Sequence, residues 1–161
     1  LSIFSLSKSV QLIDLSIKHN FLIMEDRKFV DISYTVSKQY EEYSKWVDLV
    51  TVMGNVHSDV VSCMAGVILI SNMSNGSFDA TDSSLNISDK YPERVVGFVS
   101  QHRIEKEGFY TMTPGVKLVS DVDGDQQYRG KDLIDADILI VGRGIYKSED
   151  VVKTADEFMM Y

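Results

Sequence analysis

Phe21-Leu22-Ile23-Met24-Glu25-Asp26-Arg27-Lys28-Phe29-Val30-Asp31 sets an apolar run of strand length directly against two acids, two bases and a further acid. Continuous apolar runs of this kind are how buried parallel strands read. The carboxyl end of such a strand is where barrels and doubly wound α/β sheets keep their chemistry. The stretch therefore predicts a strand over 21–24 and a reactive group of charges just after it. By residue chemistry alone the block equally suits a solvated helix start, whose first turn favours acids, so the neighbouring segments have to decide.

Working outward, Ile3, Leu6, Val10, Ile13 and Ile17 recur at alternating spacings of three and four, which lines one face of an opening helix. Further apolar runs at 46–52, 67–70, 95–99, 110–113 and 138–141 read as buried strands. Polar stretches with room for helices fill the intervals at about 31–43, 55–65, 79–90, 126–134 and 148–160, whereas 101–108 reads as a loop. Alternation of this kind signals parallel strands with crossover helices. A closed (β/α)₈ barrel needs about 200 residues or more, and the chain has 161. A chain that opens on a helix, with no strand ahead of it, points to part of a barrel.

The size suits one domain over 1–161, and 44% hydrophobic content is ordinary for a globular chain. A net charge of −8 argues against nucleic acid and against an anionic membrane surface. A small phosphorylated ligand stays compatible, because it answers to local donors. Cys63 is the single cysteine, which excludes an intrachain disulfide, and with no signal peptide at Leu1 a cytoplasmic setting is expected. No apolar run reaches the roughly 18 residues of a membrane helix.

The block Leu22-Ile23-Met24-Glu25-Asp26-Arg27-Lys28-Phe29-Val30-Asp31-Ile32 resembles the Asp-x-Lys-x-x-Asp motif of the orotidine 5′-phosphate decarboxylase family. Further likenesses follow in order: Lys38-Gln39-Tyr40, Trp46 to Val50, Met73-Ser74 with Gly76-Ser77, and Val96 to Ser100. Thr113-Pro114-Gly115-Val116, Gln126-Gln127-Tyr128 and Asp137 to Ile145 then match the family's phosphate-binding end. Each string is weak alone, and their shared order carries the resemblance over nearly the whole chain.

The resemblance implies a partial TIM barrel of the ribulose-phosphate-binding type, with about six parallel strands and the first two missing. It implies decarboxylation of orotidine 5′-monophosphate to uridine 5′-monophosphate, in pyrimidine biosynthesis, with no cofactor and no metal. Lys28 would protonate C6, Asp26 would lie beside the departing carboxylate, and Asp31 and Thr35 would reach the site of a second subunit in a homodimer. Ser74 would read the pyrimidine, with Pro114, Gln126, Tyr128, Gly142 and Arg143 toward the phosphate. It also leaves room for an orotate phosphoribosyltransferase domain fused upstream. The family's second-strand lysine and first-strand ribose-contacting aspartate have no counterpart here, so negligible turnover is expected of the isolated chain. The alternative is a degenerate barrel that binds a nucleotide or a subunit without catalysis.

Other motifs read blandly. Asp121, Asp123 and Asp125 resemble a calcium loop, but Gln126 stands where its glycine belongs and Asp132 where its glutamate belongs. His19, His57 and His102 lack metal-ligand spacing. Cys63 reads as a small core residue and Phe158 to Tyr161 as core packing.

Overall fold

The computed structural model describes residues 6–123 and 126–160, with side chains described for 8–121 and 128–160. Six strands form one parallel sheet: β1 (Met24–Phe29), β2 (Leu49–Met53), β3 (Val67–Ile70), β4 (Val95–Val99), β5 (Tyr110–Pro114) and, sixth in spatial order, Ile138–Ile140. Between the last two come the short strands β6 (Val116–Lys117), β7 (Asp121–Asp123) and β8 (Gln126–Gly130), so Ile138–Ile140 is β9. The main sheet runs β1-β2-β3-β4-β5-β9, while β6, β8 and β7 make a small separate sheet. Every pairing in the main sheet is parallel. The helices are α1 (Leu6–His19), α2 (Ser33–Tyr43), α3 (Thr81–Lys90), α4 (Arg143–Tyr146) and α5 (Val151–Met159). Among the described residues no helix is long and apolar enough to cross a membrane.

The core has two layers because successive strand residues point to opposite faces. On the outer face Val50, Val52, Val67, Leu69, Val95 and Phe98 pack under the helices with Phe29, Val36 and Tyr43. On the inner face Ile68, Ile70, Val99 and Met112 gather Met24, Leu49, Met53 and Ile140. The β3–β4 register slips after Val67↔Val95, and Ile68 pairs with Gly97. That extra residue returns Phe98 to the helix side and Val99 to the inner side. Gly66 makes the turn into β3 at φ +64°, where an added Cβ would meet the Asp48 carbonyl oxygen at 2.1 Å.

Several expectations need correction. The strand placed over 21–24 lies over Met24–Phe29, and Phe21 and Leu22 are exposed. The stretch 126–134 is not a helix but β8 followed by a single 3₁₀ turn, Lys131–Leu133. The polar stretch 55–65 holds a 3₁₀ helix, Ser58–Cys63. In α1, Ser9 is buried and Leu12, Ile13 and Ser16 half-buried, while Val10 and Ile17 of the expected face are exposed. Periodicity reports an apolar stripe and not what covers it; β1 is the sheet's edge, so no described strand lies beyond it. Ile3 and the Leu6 side chain fall outside the described residues. Met159 and Met160 are exposed rather than core, and Cys63 is exposed too.

The loop 101–108 carries no regular element and is held by charge. Arg103 bonds Asp137 at 2.8 Å and Asp135 at 3.2 Å, just ahead of β9. The Thr111 N–H at 2.7 Å and then this guanidinium hold the Asp137 carboxyl below the usual carboxylate range.

Candidate active site

Asp26, Arg27 and Lys28 stand inside β1, not beyond it. Glu25 pairs with Val50 and Phe29 with Val52, so four steps of β1 oppose two of β2. Such a bulge leaves residues unpaired and re-aims their side chains. Lys28 takes φ +55°, a conformation costly for a residue with a Cβ and one that concentrates at functional sites.

Thr51 holds this bulge from below. Its hydroxyl, in a residue 1% exposed, accepts the Lys28 backbone N–H at 2.8 Å and donates to Asp26 Oδ1 at 2.9 Å. The Lys28 ammonium then bonds Asp26 Oδ2 at 2.5 Å. These two side chains are 46% and 56% exposed, so water screens the pair to roughly 0.2–1 kcal/mol. The ion pair is therefore held in place by the strand beneath it more than it stabilises that strand. Glu25, next in line, has its carboxyl raised above the usual range, mainly by burial; Arg27 opposes the shift and Asp26 adds to it.

Asp26 and Lys28 open into a cavity of about 250 Å³. Ile70, Val99, Pro114 and Ile140, the last residues of β3, β4 and β5 and of β9, form its apolar wall. The cavity therefore occupies the carboxyl mouth of the sheet. Ser74 and Asn75 contribute polar groups from the loop after β3. Of the residues expected from the sequence, Asp26, Lys28, Ser74 and Pro114 come together here.

The others lie elsewhere. Asp31 is exposed at the turn after β1, where its Oδ1 accepts the Ile32 N–H at 2.7 Å, and Thr35 follows on α2. Neither lines this cavity. Arg143 lines a separate cleft of about 300 Å³ with Lys117, Lys147 and Thr154, and Gly142 caps the start of the short α4. The Tyr128 ring receives Lys117 Nζ at 4.4 Å and the Arg143 guanidinium carbon at 5.3 Å from its centroid. The buried Tyr128 hydroxyl finds no hydrogen-bond partner among the described residues. The Gln126 backbone lies in β8 and its side chain falls outside the described residues.

Sequence reasoning missed Thr51, whose signal was one hydroxyl in the run Leu49-Val50-Thr51-Val52. It also missed the amide relay behind the cavity. Asn72 Oδ1 accepts the Gln101 N–H at 2.6 Å, and Gln101 Nε2 donates to the Pro114 carbonyl at 3.3 Å. Arg129 Nη2 donates to the Gln101 carbonyl at 2.7 Å. The ends of β3, β4, β5 and β8 are thereby tied together, and no spacing in the sequence reports that.

Comparison with known proteins adds the lineage. A family model described as "Orotidine 5'-phosphate decarboxylase / HUMPS family" matches residues 2–158. A uridine 5′-monophosphate synthase of Bos taurus is 36% identical over 174 residues, covering 94% of this chain and 36% of that protein. An orotidine 5′-phosphate decarboxylase of Pichia kudriavzevii is 35% identical over 175 residues, covering 90% of this chain and 66% of its own length. The chain thus spans just under two thirds of the fungal relative and about a third of the bovine one. Among solved structures, an orotidine 5′-monophosphate decarboxylase from Metallosphaera sedula superposes with a TM-score of 0.69 at 16% identity. It covers 96% of this chain and 78% of that one, which shows the barrel fold.

Proposed function

The chain belongs to the orotidine 5′-phosphate decarboxylase family, and we propose that it carries the lysine–aspartate face of a decarboxylase site acting on orotidine 5′-monophosphate. The observation that carries this reading is the Lys28–Asp26–Thr51 cluster, fixed on a bulged strand over the cavity at the sheet's mouth. In the proposed reaction the bond between C6 and the carboxylate breaks and carbon dioxide leaves with the electron pair remaining on C6. The Lys28 ammonium gives that carbon a proton, and solvent reprotonates the amine. An ammonium already oriented at the developing charge supplies stabilisation without reorganisation during the reaction. Asp26 keeps the lysine aimed, and Ser74 faces the base from across the cavity.

Phosphate recognition at Tyr128 and Arg143 is part of the same proposal. An unpartnered buried hydroxyl costs about 1–3 kcal/mol, and a phosphate oxygen would satisfy it while meeting the adjacent cations. Association of two copies is proposed at the turn after β1, where Val30, Ile32 and Tyr34 are 60%, 68% and 73% exposed around Asp31. Sedimentation would test it: Ile32→Asp should hold the chain as a monomer, and unchanged dimerisation would exclude this patch. We further propose a cytoplasmic setting and an upstream phosphoribosyltransferase domain.

A second reading, a non-catalytic nucleotide- or subunit-binding barrel, has one observation in its favour: Arg143 and Lys28 open into different clefts. One experiment separates the two. The 161-residue chain and a chimera carrying the N-terminal strands of the Pichia relative are each mixed with orotidine 5′-monophosphate, and pyrimidine absorbance is followed. The chain alone should show negligible turnover; rapid turnover would refute that expectation. The chimera should decarboxylate, and Lys28→Ala in it should abolish turnover while uridine 5′-monophosphate still binds. Undiminished turnover in Lys28→Ala would remove Lys28 from the mechanism, and binding without turnover in the parent chimera would establish the second reading.

A further inference from the structure

Beside the 72–76 loop lies a larger cleft of about 460 Å³ whose lining does not include Lys28. Its polar wall includes Arg129 and His102, and its apolar wall is Met73 and Phe78. We propose that this cleft is a second binding site, taking a small organic anion with a flat body, its charge on Arg129 and its ring against Phe78.

Arg129 is the reason. It is half-buried, yet its side-chain hydrogen bonds among the described residues are all from Nη2, to the Gln101 carbonyl at 2.7 Å and, weakly, to Gln101 Oε1 at 3.5 Å. Nε is buried without a partner, and no described carboxylate forms an ion pair with this guanidinium. Two other arginines are served differently: Arg94 pairs with Glu93, and Arg103 with Glu105, Asp135 and Asp137. A partly desolvated guanidinium with no ion-pair partner among the described residues, in a chain of net charge −8, is poised for an anion. Gln101 holds its orientation, so little side-chain freedom is lost on binding.

The acid on the wall, Asp79, would oppose an anion. Its Oδ1 is committed to the Thr81 N–H and hydroxyl at 3.0 and 2.8 Å, at the start of α3, and is not directed at Arg129 by any bond. A cleft of this size, part apolar and with few polar groups, suits a small ligand. Phosphate alone would leave Phe78 and Met73 unused, so a planar body is expected with the charge. Asn72, Met73, Ser74 and Asn75 line both this cleft and the cavity of Lys28. An occupant here would therefore bias the position of Ser74, which lines both. The inference goes beyond the proposed reaction and does not depend on it, since no part of it uses Lys28.

The test reads arginine Nε–H signals by nuclear magnetic resonance in the whole chain, with the Arg129 signal identified by its loss in Arg129→Lys. Benzoate, uridine 5′-monophosphate and inorganic phosphate are titrated separately. The Arg129 signal should shift saturably with benzoate and with the nucleotide, and do so equally in Lys28→Ala. Inorganic phosphate should bind more weakly. Arg129→Gln should weaken benzoate binding about tenfold by calorimetry, the loss of one charge-assisted bond. An Arg129 signal unmoved by all three probes overturns the proposal in the native chain, whatever the variants do. So does a shift with phosphate alone, or benzoate affinity unchanged in Arg129→Gln. Nucleotide binding retained in Lys28→Ala with the Arg129 signal unmoved would overturn this site while leaving the decarboxylase reading standing.

Discussion

Thr51→Val tests whether the strand beneath it imposes the geometry of Lys28. Valine keeps the volume of the side chain and deletes the hydroxyl that accepts the Lys28 N–H and donates to Asp26. Leaving a part-buried N–H without an acceptor costs about 1–3 kcal/mol. Asp26 is more than half exposed and regains water, so the lost donation adds about 0.5 kcal/mol. The expected destabilisation is about 2 kcal/mol, which in a domain of this size lowers the thermal midpoint by about 4–8 °C. Urea denaturation followed by circular dichroism measures it, with an unchanged slope showing that the unfolded state is not the cause. Thr51→Ser, which retains the hydroxyl and loses one methyl, should cost about 1 kcal/mol. A Thr51→Val chain within about 0.5 kcal/mol of the parent, or one more stable than Thr51→Ser, would refute the account of the bulge.

Three further outcomes are expected. Lys28→Gly should be more stable than Lys28→Ala by about 1 kcal/mol, because only glycine takes φ +55° without a Cβ penalty; equal denaturation midpoints would show the conformation is not strained. Gly97→Ala should destabilise by about 3 kcal/mol or more, since its Cβ would stand 2.1 Å from the Tyr110 carbonyl oxygen across β4–β5, and a chain with parental stability would show that this part of the sheet is looser than described. Glu25→Gln should raise the melting temperature at neutral pH and lose that advantage as pH falls to about 4. The sign follows from burial: the folded-state pKa lies above the unfolded value, so the parent's stability is full below the unfolded pKa and declines as pH rises through the folded one. A stability difference independent of pH would remove Glu25 as the cause.

Legibility in the sequence followed the range of the forces involved. The runs at 67–70 and 95–99 are strands with those same bounds, since a fully buried strand announces itself by composition. The run at 21–24 misplaced β1 toward its apolar start. Phe21 and Leu22 stay exposed, and the charged residues lie inside β1 because Glu25 pairs with Val50 and the Thr51 hydroxyl accepts the Lys28 N–H across the bulge. The stretch 126–134 looked helical by length and polarity; β8 exists because Gln126–Tyr128 pairs with β7 and Arg129 with β6, contacts outside the segment.

What the amino-acid order determined by itself is the alternation of buried runs and polar crossovers, the parallel α/β class, and the family to which the motif around Asp26 and Lys28 belongs. These are local properties, written in hydrophobicity and in strings of adjacent residues. Tertiary structure alone decided that Thr51 lies under Lys28, that Arg143 and Lys28 open into different clefts, and that Arg129 lines a cavity with no ion-pair partner among the described residues. Each of these joins residues from separate strands, and whether a side chain enters a cavity depends on register and bulges that only the assembled sheet imposes.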